Sequence, residues 1–368
     1  MEFLNLKKQY KEIKKEIDSA VLKVLEKGTF IGGEEVEKFE EEMARFCKRS
    51  HAVALNSGTD ALFLSLKAFG ISKGDEVITS PFTFVATAEA ISNLGAKPVF
   101  ADIDPGDFNI AVSKIEEKIT KRTKAVIPVH LFGQMADMEK IRKIAKKHGL
   151  KIIEDAAQAV GSEYKGKGIG TFGDCACLSF FPAKNLGAYG DGGMAVTDNK
   201  NLAEKIKMLR NHGSSKKEKY LNLELGTNSR LDAIQAAVLR VKLKHLKVWN
   251  KKRLENALYY NKSFKNVEDI KIPSIKAGFL HSFHQYTIRT ASRDGLREYL
   301  KKNGIPSMIY YPLPLSLQPA FKYLECKKGE FPEAEKAGRE VLSLPVGPDL
   351  SRKDQETVIK KIRDFFSK

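Results

Sequence analysis

The feature of this chain that most constrains its fold is a regular alternation of short apolar runs and longer amphipathic runs, which begins near residue 50. The apolar runs predicted as strands are His51–Leu55, Glu76–Ser80, Pro98–Ile103, Ala125–His130, Lys151–Asp155, Cys175–Phe180 and Gly193–Thr197. The helical patterns between them are Thr59–Phe69, Ala86–Leu94, Met138–His148 and Leu202–Leu209. Strands that alternate with helices predict an α/β fold, with a mostly parallel sheet covered by helices.

The 368 residues are enough for about two domains. A long helix is predicted to begin at Ser229, where Ser229 and Asp232 have the spacing of a capping box. We expect a large domain over residues 1–245 and a smaller C-terminal α/β domain over 246–368, with the N-terminal helix as a candidate to pack on the small domain. The elements predicted for the small domain are the strand Tyr286–Thr290 and helices near Gly295–Asn303 and Ser351–Phe366.

The composition, with 42% apolar and 30% charged residues, is typical of a globular protein. The net charge of +17 is spread along helical faces, and no groove-reading or RNA-binding motif accompanies it, so neither nucleic acid nor membrane is an expected partner. Four cysteines are too few for a disulfide framework here and lack the spacing of a metal site. No apolar run approaches membrane-spanning length, and we expect a cytoplasmic protein.

Several motifs that could bind a ligand follow predicted strands. Asn56-Ser57-Gly58-Thr59-Asp60 opens a helix, where free amides and the helix dipole suit a phosphate, although an ordinary helix cap has the same pattern. Asp155 ends a strand, where a carboxylate either pairs with a cationic ring nitrogen or caps a loop. Ser179, which either binds phosphate or bonds to the local backbone, precedes a turn that carries Lys184 and runs into the glycine-rich corner Gly190–Gly193. A lysine held on such a turn becomes a nucleophile when its surroundings lower its pKa.

In this order the motifs resemble those of the DegT/DnrJ/StrS family of sugar aminotransferases, and the resemblance covers nearly the whole chain. The segments that carry it are Asn56–Leu62, Pro81–Thr87, Glu154–Gln158, Ser179–Gly187, Gly190–Gly193 and Asn228–Asp232. The resemblance implies the type I fold of pyridoxal-phosphate (PLP) enzymes, with pyridoxal 5'-phosphate as cofactor. It also implies a homodimer with shared active sites.

The resemblance assigns a role to each candidate residue. Lys184 would bind the cofactor covalently and move the proton, while Asp155 would hold the ring nitrogen protonated. The remaining cofactor contacts are Phe84 stacked on the ring, Gln158 at its phenolic oxygen, Ser57, Gly58, Thr59 and Ser179 at the phosphate, and Asn228 at the phosphate in the neighbouring subunit. Arg230 is expected to support the loop that carries Asn228.

The resemblance also predicts transfer of an amino group from an amino acid, glutamate as the expected donor, to a nucleotide-linked keto-sugar. The segment Ile309–Pro319 resembles that of members that act on 3-keto sugars, with Tyr311 as a substrate contact, although a loop that links two domains has the same composition. Ser316 departs from this pattern because histidine is often found there. A 4-keto substrate, a sugar dehydratase and a regulatory protein on the same fold remain alternatives, although dehydratases carry histidine where this chain has Lys184.

Overall fold

The computed structural model describes residues 1–218 and 220–367. Its helices are α1 Leu6–Glu12, α2 Lys14–Lys27, α3 Glu34–Cys47, α4 Gly58–Ala68, α5 Ala86–Ser92, α6 Met138–His148, α7 Lys200–Leu209, α8 Ala233–Phe264, α9 Arg293–Lys302, α10 Pro332–Glu340 and α11 Arg352–Phe366. Its strands are β1 His51–Leu55, β2 Glu76–Thr79, β3 Lys97–Phe100, β4 Thr123–Ile127, β5 Lys151–Asp155, β6 Glu163–Tyr164, β7 Lys167–Gly168, β8 Cys175–Ser179, β9 Gly193–Thr197, β10 Phe279–Leu280, β11 Tyr286–Arg289 and β12 Val341–Leu344.

A central sheet of seven strands, in the order β1-β9-β8-β5-β4-β2-β3, organises the first two thirds of the chain. Six of its strands run in one direction, and β9 is antiparallel to both of its neighbours, β1 and β8. The predicted α/β fold with a mostly parallel sheet is therefore confirmed. The predicted bounds of β1, β5 and β9 match the structure. Strand β3 begins one residue earlier than predicted and β4 two residues earlier, and each ends three residues before its predicted end.

Helices cover the sheet on both faces, because successive strand residues point to opposite sides. On one face Val53, Ile153 and Cys175 pack with α4 and α7. On the other face Ala54, Ile152 and Ala176 pack with α3, α6 and the first half of α8. Most of the side chains buried on both faces are apolar, as expected for a buried parallel sheet.

A separate apolar cluster lies in the C-terminal part of the chain, where β11 pairs with β12 against α9, α11 and the end of α8. Ile17 of helix α2 and Ile13, which precedes that helix, pack on α8 near Trp249. The 32-residue helix α8 thus contacts the core of the sheet, the N-terminal helices and the C-terminal cluster. The division into domains at residue 245 stays a prediction.

The predicted start of α8 is wrong. The helix begins at Ala233, and its cap residue Asp232 has an extended backbone with no side-chain hydrogen bond to the helix. The hydroxyl of Ser229 instead donates to the side chain of Asn56, 3.1 Å away. A contact with the loop after β1 has therefore replaced the local capping bond, because a tertiary partner competes for the same hydroxyl.

Candidate active site

A cavity of about 440 Å³ opens at the carboxyl ends of β1, β5 and β8. Nine of the ten residues predicted for the site line it: Ser57, Gly58, Thr59, Phe84, Asp155, Gln158, Ser179, Lys184 and Tyr311. They come from segments up to 254 residues apart in sequence. The order of strands brings them together, because the loops after parallel neighbouring strands emerge at one edge of the sheet.

The amino end of α4 forms one wall of the cavity. Ser57 caps the helix, and its hydroxyl accepts a hydrogen bond from the Asp60 amide at 3.1 Å. The first hydrogen bond within the helix runs from the Ala61 amide to the Ser57 carbonyl. The amides of Gly58 and Thr59 come before it, so they have no acceptor within the helix and are available at the cavity mouth. This helix end therefore suits an anion such as a phosphate.

Gly58 lies against Ser179 at the end of β8. A β-carbon placed on Gly58 would lie only 2.7 Å from the Ser179 β-carbon, closer than real side chains approach. Glycine at this position is what allows the helix end and the Ser179 hydroxyl to face one small space. The two predicted phosphate-binding segments thus form a single cradle.

Asp155, at the end of β5, is buried and oriented by two hydrogen bonds. Its Oδ2 accepts from the Thr87 hydroxyl at 2.7 Å, and its Oδ1 accepts from the Ala157 amide at 3.2 Å. Thr87 itself contacts the Thr83 hydroxyl at 3.1 Å. A carboxylate fixed in this way at the cavity wall can pair with a cationic ring nitrogen.

Lys184 lies half-buried on the turn after β8, in the same cavity as Asp155. Burial lowers the pKa of its amine to about 8, and the negative charge of Asp155 opposes that shift. The turn is closed by a hydrogen bond of 2.8 Å from the Lys184 amide to the Phe181 carbonyl. A lysine with a lowered pKa beside a fixed carboxylate has the properties required of a nucleophilic amine.

Gln158 and Tyr311 are joined by a hydrogen bond of 3.0 Å from the Gln158 Nε2 to the tyrosine hydroxyl. The Oε1 of Gln158 accepts from the Phe132 amide at 2.8 Å. Burial raises the pKa of the Tyr311 phenol, which keeps it protonated. The ring of Phe84 lies 6.3 Å from that of Tyr311, and Phe84 is 54% exposed, so one face of its ring is free for a ligand.

The buried polar residues of the cavity that the sequence predictions missed include His284 and Gln285. Burial, together with the positive charges of Lys184 and Arg253, holds the pKa of His284 well below its usual value, so this imidazole is neutral. Gln285 has a buried side-chain oxygen without a hydrogen-bond partner. Both residues lie in a segment with no glycine-rich or strand-end pattern, so the sequence carried no local signal for them.

Asn228 is the one predicted residue outside the cavity. It is exposed, and its backbone pairs with Asn211. Arg230 donates to the Asn211 side chain at 3.3 Å, which agrees with its expected role in supporting this loop.

Comparison with known proteins identifies the family. The profile of the DegT/DnrJ/EryC1/StrS aminotransferase family matches residues 11–363. The chain belongs to this family. Its structure is similar to that of DesV from S. venezuelae, with a TM-score of 0.97 and 43% identity over 100% of this chain and 98% of that one.

Of two similar relatives, one is named as a regulatory protein and the other as an enzyme. A "pleiotropic regulatory protein" of Geobacillus stearothermophilus is 50% identical over 99% of this chain and 98% of its own length. A UDP-N-acetyl-3-dehydro-alpha-D-glucosamine 3-aminotransferase of Acidithiobacillus ferrooxidans is 44% identical over 98% of this chain and 96% of its own length. The predicted family, type I fold, enzyme class and cofactor are confirmed: the chain is an aminotransferase of a PLP-dependent family. Within residues 1–218 and 220–367, no helix has the length and apolarity to cross a membrane.

Proposed function

We propose that the protein transfers an amino group from an amino acid, with glutamate as the expected donor, to the C3 keto group of a sugar linked to a nucleoside diphosphate. The observation that carries this proposal is the convergence of Lys184 and Asp155 in one cavity with Tyr311. The net charge of +17 suits an anionic diphosphate substrate, although charge alone does not select among such substrates.

The residues of the cavity fit pyridoxal phosphate. The cradle of Ser57, Gly58, Thr59 and Ser179 has the donors that a phosphate requires, and Asp155, fixed in the wall of the same cavity, would keep a ring nitrogen protonated. Phe84 presents an exposed aromatic face, on which a pyridine ring would stack. When bound, the cofactor supplies an electron sink for the carbon that gains or loses the amino group.

Lys184 would carry the proton in both halves of the reaction. An amine with a pKa of about 8 exists in both protonation states near neutral pH, so it can accept a proton and return it. Asp155 would be held in place by Thr87 and Ala157, so that its carboxylate can balance a positive charge on the ring. The neutral His284 would add no competing charge.

Two side chains support recognition of the sugar. The hydroxyl of Tyr311 lies in the cavity and is oriented by Gln158. Gln285 also lines the cavity, and a rotation of its side chain would bring its buried, unpaired oxygen to a sugar hydroxyl. Ser316, the position often occupied by histidine in the family, is buried and is not among the residues that line the cavity, so we assign it no contact with the sugar.

The position of amination rests on the Ile309–Pro319 segment and on the relative named as a 3-aminotransferase. A 4-keto substrate is the closest alternative. A dehydratase is disfavoured because Lys184 is present where resembling dehydratases have histidine. A purely regulatory role, suggested by the name of the Geobacillus relative, does not require the cradle, Asp155 and Lys184 that this chain keeps in one cavity.

We also propose a homodimer in which Asn228 completes the partner's phosphate site. Asn228 is exposed and lies outside its own cavity. The preceding segment exposes Leu221, Leu223 and Leu225, the last to 85%. Large apolar side chains clustered on a surface favour a protein interface there.

The experiment that tests the reaction combines the protein, pyridoxal phosphate and glutamate with a panel of 3-keto and 4-keto nucleotide sugars. Mass spectrometry and NMR then identify the product, and a 3-amino sugar is expected. A 4-amino product, with none from any 3-keto isomer, would overturn the regiochemistry. Absence of bound cofactor, with no product from any sugar, would overturn the proposal as a whole.

A further inference from the structure

The long helix α8 lies along the segment that follows Lys184, residues 185–190, and three of its side chains hold that segment. The three hydrogen bonds join Gln235 Oε1 to the Tyr189 amide at 2.8 Å, Lys242 Nζ to the Gly187 carbonyl at 2.7 Å, and Asn250 Oδ1 to the Asn185 side-chain amide at 2.8 Å. The α8 residues are spaced by seven and eight, about two helical turns each, so they lie on one face of the helix. They bond to every second residue of the segment: Asn185, Gly187 and Tyr189.

Lys242 is the unusual member of this set. Its side chain is 1% exposed, and its ammonium lies 4.0 Å from the centre of the Tyr189 ring. Burial lowers the pKa of Lys242 to about 7, and no carboxylate in the described part of the chain opposes that shift. An apolar side chain of similar length would fill this space without the cost of burying a charge. The bond to Gly187 and the contact with Tyr189 are what a lysine adds.

The position of Gly187 is coupled to that of Lys184. A β-carbon on Gly187 would lie 2.2 Å from the Pro182 carbonyl oxygen, so the chain folds back tightly on itself on either side of the lysine. Lys184 therefore projects from a short closed loop whose two ends touch. A movement of Gly187 moves this loop and the amine that it carries.

We propose that Lys242 is a positioning residue for Lys184: by holding the Gly187 carbonyl, it sets where the Lys184 amine lies in the cavity. The inference rests on the proposed role of Lys184, and it adds a residue that does not line the cavity. Gln235 and Asn250 hold the flanking residues and limit how far the segment can shift when the central bond is lost.

The test compares K242M, which removes the donor but keeps the length of the side chain, with K242R, which keeps a cationic donor. K244M serves as the matched control, because Lys244 is exposed on the same helix. The readouts are the midpoint of the pH titration of the cofactor absorbance, the rate of the half-reaction with glutamate, and the melting temperature of the cofactor-free protein.

We expect K242M to shift the absorbance midpoint by about half a pH unit or more and to slow the glutamate half-reaction about tenfold, since small displacements of a reacting group are costly. The KM for glutamate should change less than about twofold, and K242R should recover most of the rate. A K242M protein that matches K244M in midpoint and rate overturns the inference, even if it melts earlier. Failure of K242R to exceed K242M overturns it as well.

If K242M does not fold, K242L, which also removes the donor, is judged by the same two readouts, and a K242L protein that matches K244M in both overturns the inference. An experiment on the wild-type protein tests the proposed function separately from the role of Lys242. Borohydride reduction followed by peptide mapping should place the cofactor on Lys184. Attachment to another lysine would contradict the proposed function itself and would overturn the positioning role with it.

Discussion

Substitution of Gly58 by alanine tests whether the cradle between α4 and β8 binds the cofactor phosphate. The backbone of Gly58 is not in the left-handed region, so an alanine at this position can adopt the same backbone conformation without strain. The added methyl group would lie 2.7 Å from the Ser179 β-carbon and 3.2 Å from its α-carbon. Since carbon atoms pack at about 3.5–4.0 Å, the helix end must move away from β8 by roughly 1 Å.

Overpacking of this kind costs about 1–3 kcal/mol. The helix end can relieve the clash by moving outward into the cavity, so we expect the cost to fall on cofactor binding more than on global stability. Converted at 1.4 kcal/mol for each factor of ten, it predicts a Kd for pyridoxal phosphate roughly 5- to 150-fold weaker than that of the wild type. Absorbance titration of cofactor-free protein measures this Kd, and thermal unfolding checks the fold.

The matched control is G295A, another glycine within a helix, where the added methyl group would meet Phe365 at an ordinary 3.5 Å. It should leave cofactor affinity unchanged and raise stability slightly, because alanine is the better helix former. A double-mutant cycle gives the decisive comparison. In the S179G background the β-carbon responsible for the closest contact is gone, so G58A should cost much less affinity there. An equal loss in both backgrounds would refute the steric reasoning.

Four further outcomes are expected. Borohydride should fix the cofactor on the Lys184 peptide, and K184A should lose turnover; full turnover of K184A would refute its role. The rate at which the cofactor attaches to Lys184 should rise with pH and level off above about 8, because only the neutral amine attacks, whereas a midpoint near 10.5 would show an ordinary exposed lysine. D155N should fold normally yet lose about 3 kcal/mol of barrier lowering, roughly a hundredfold in rate; near-normal turnover would leave Asp155 only a structural role. Mixing inactive K184A and N228A subunits should restore some activity, and no recovery despite proven subunit exchange would argue against shared sites.

The sequence predicted the sheet well where strands are buried on both faces, because continuous apolar runs such as Ile152–Ile153 have no other stable position. It predicted residues of the cavity because Asp155 and Ser179 end such strands and Ser57 follows one. It failed at the start of α8, where Ser229 bonds to Asn56 and the Ala233 amide bonds to the Phe30 carbonyl instead of to a local cap. Those partners lie far away in sequence, so no local pattern could reveal them.

The same limit explains the missed polar residues. Lys242 belongs to a helix rich in solvated lysines, and its sequence neighbours do not distinguish it from Lys244. Its burial depends on the Lys184 segment packing against that one face of α8. Gln285 is likewise buried, and its backbone amide donates to the Phe132 carbonyl at 3.2 Å, a partner about 150 residues earlier in the chain. The surroundings of these side chains are set by tertiary packing against residues that are distant in sequence, so the neighbouring residues do not reveal them.

The insertion of β9 between β1 and β8 also has a consequence for the order of folding. Gly193, at the start of β9, lies against the Ser57 carbonyl, where a β-carbon would approach to 2.1 Å. The cradle can therefore close only after β9 has paired with β1, a strand some 140 residues earlier in the chain. Pairings between such distant strands form slowly, because the chain loses the entropy of loop closure before the contacts between the strands can stabilise the sheet. Capture of the cofactor during refolding should thus be a late event that reports a completed sheet.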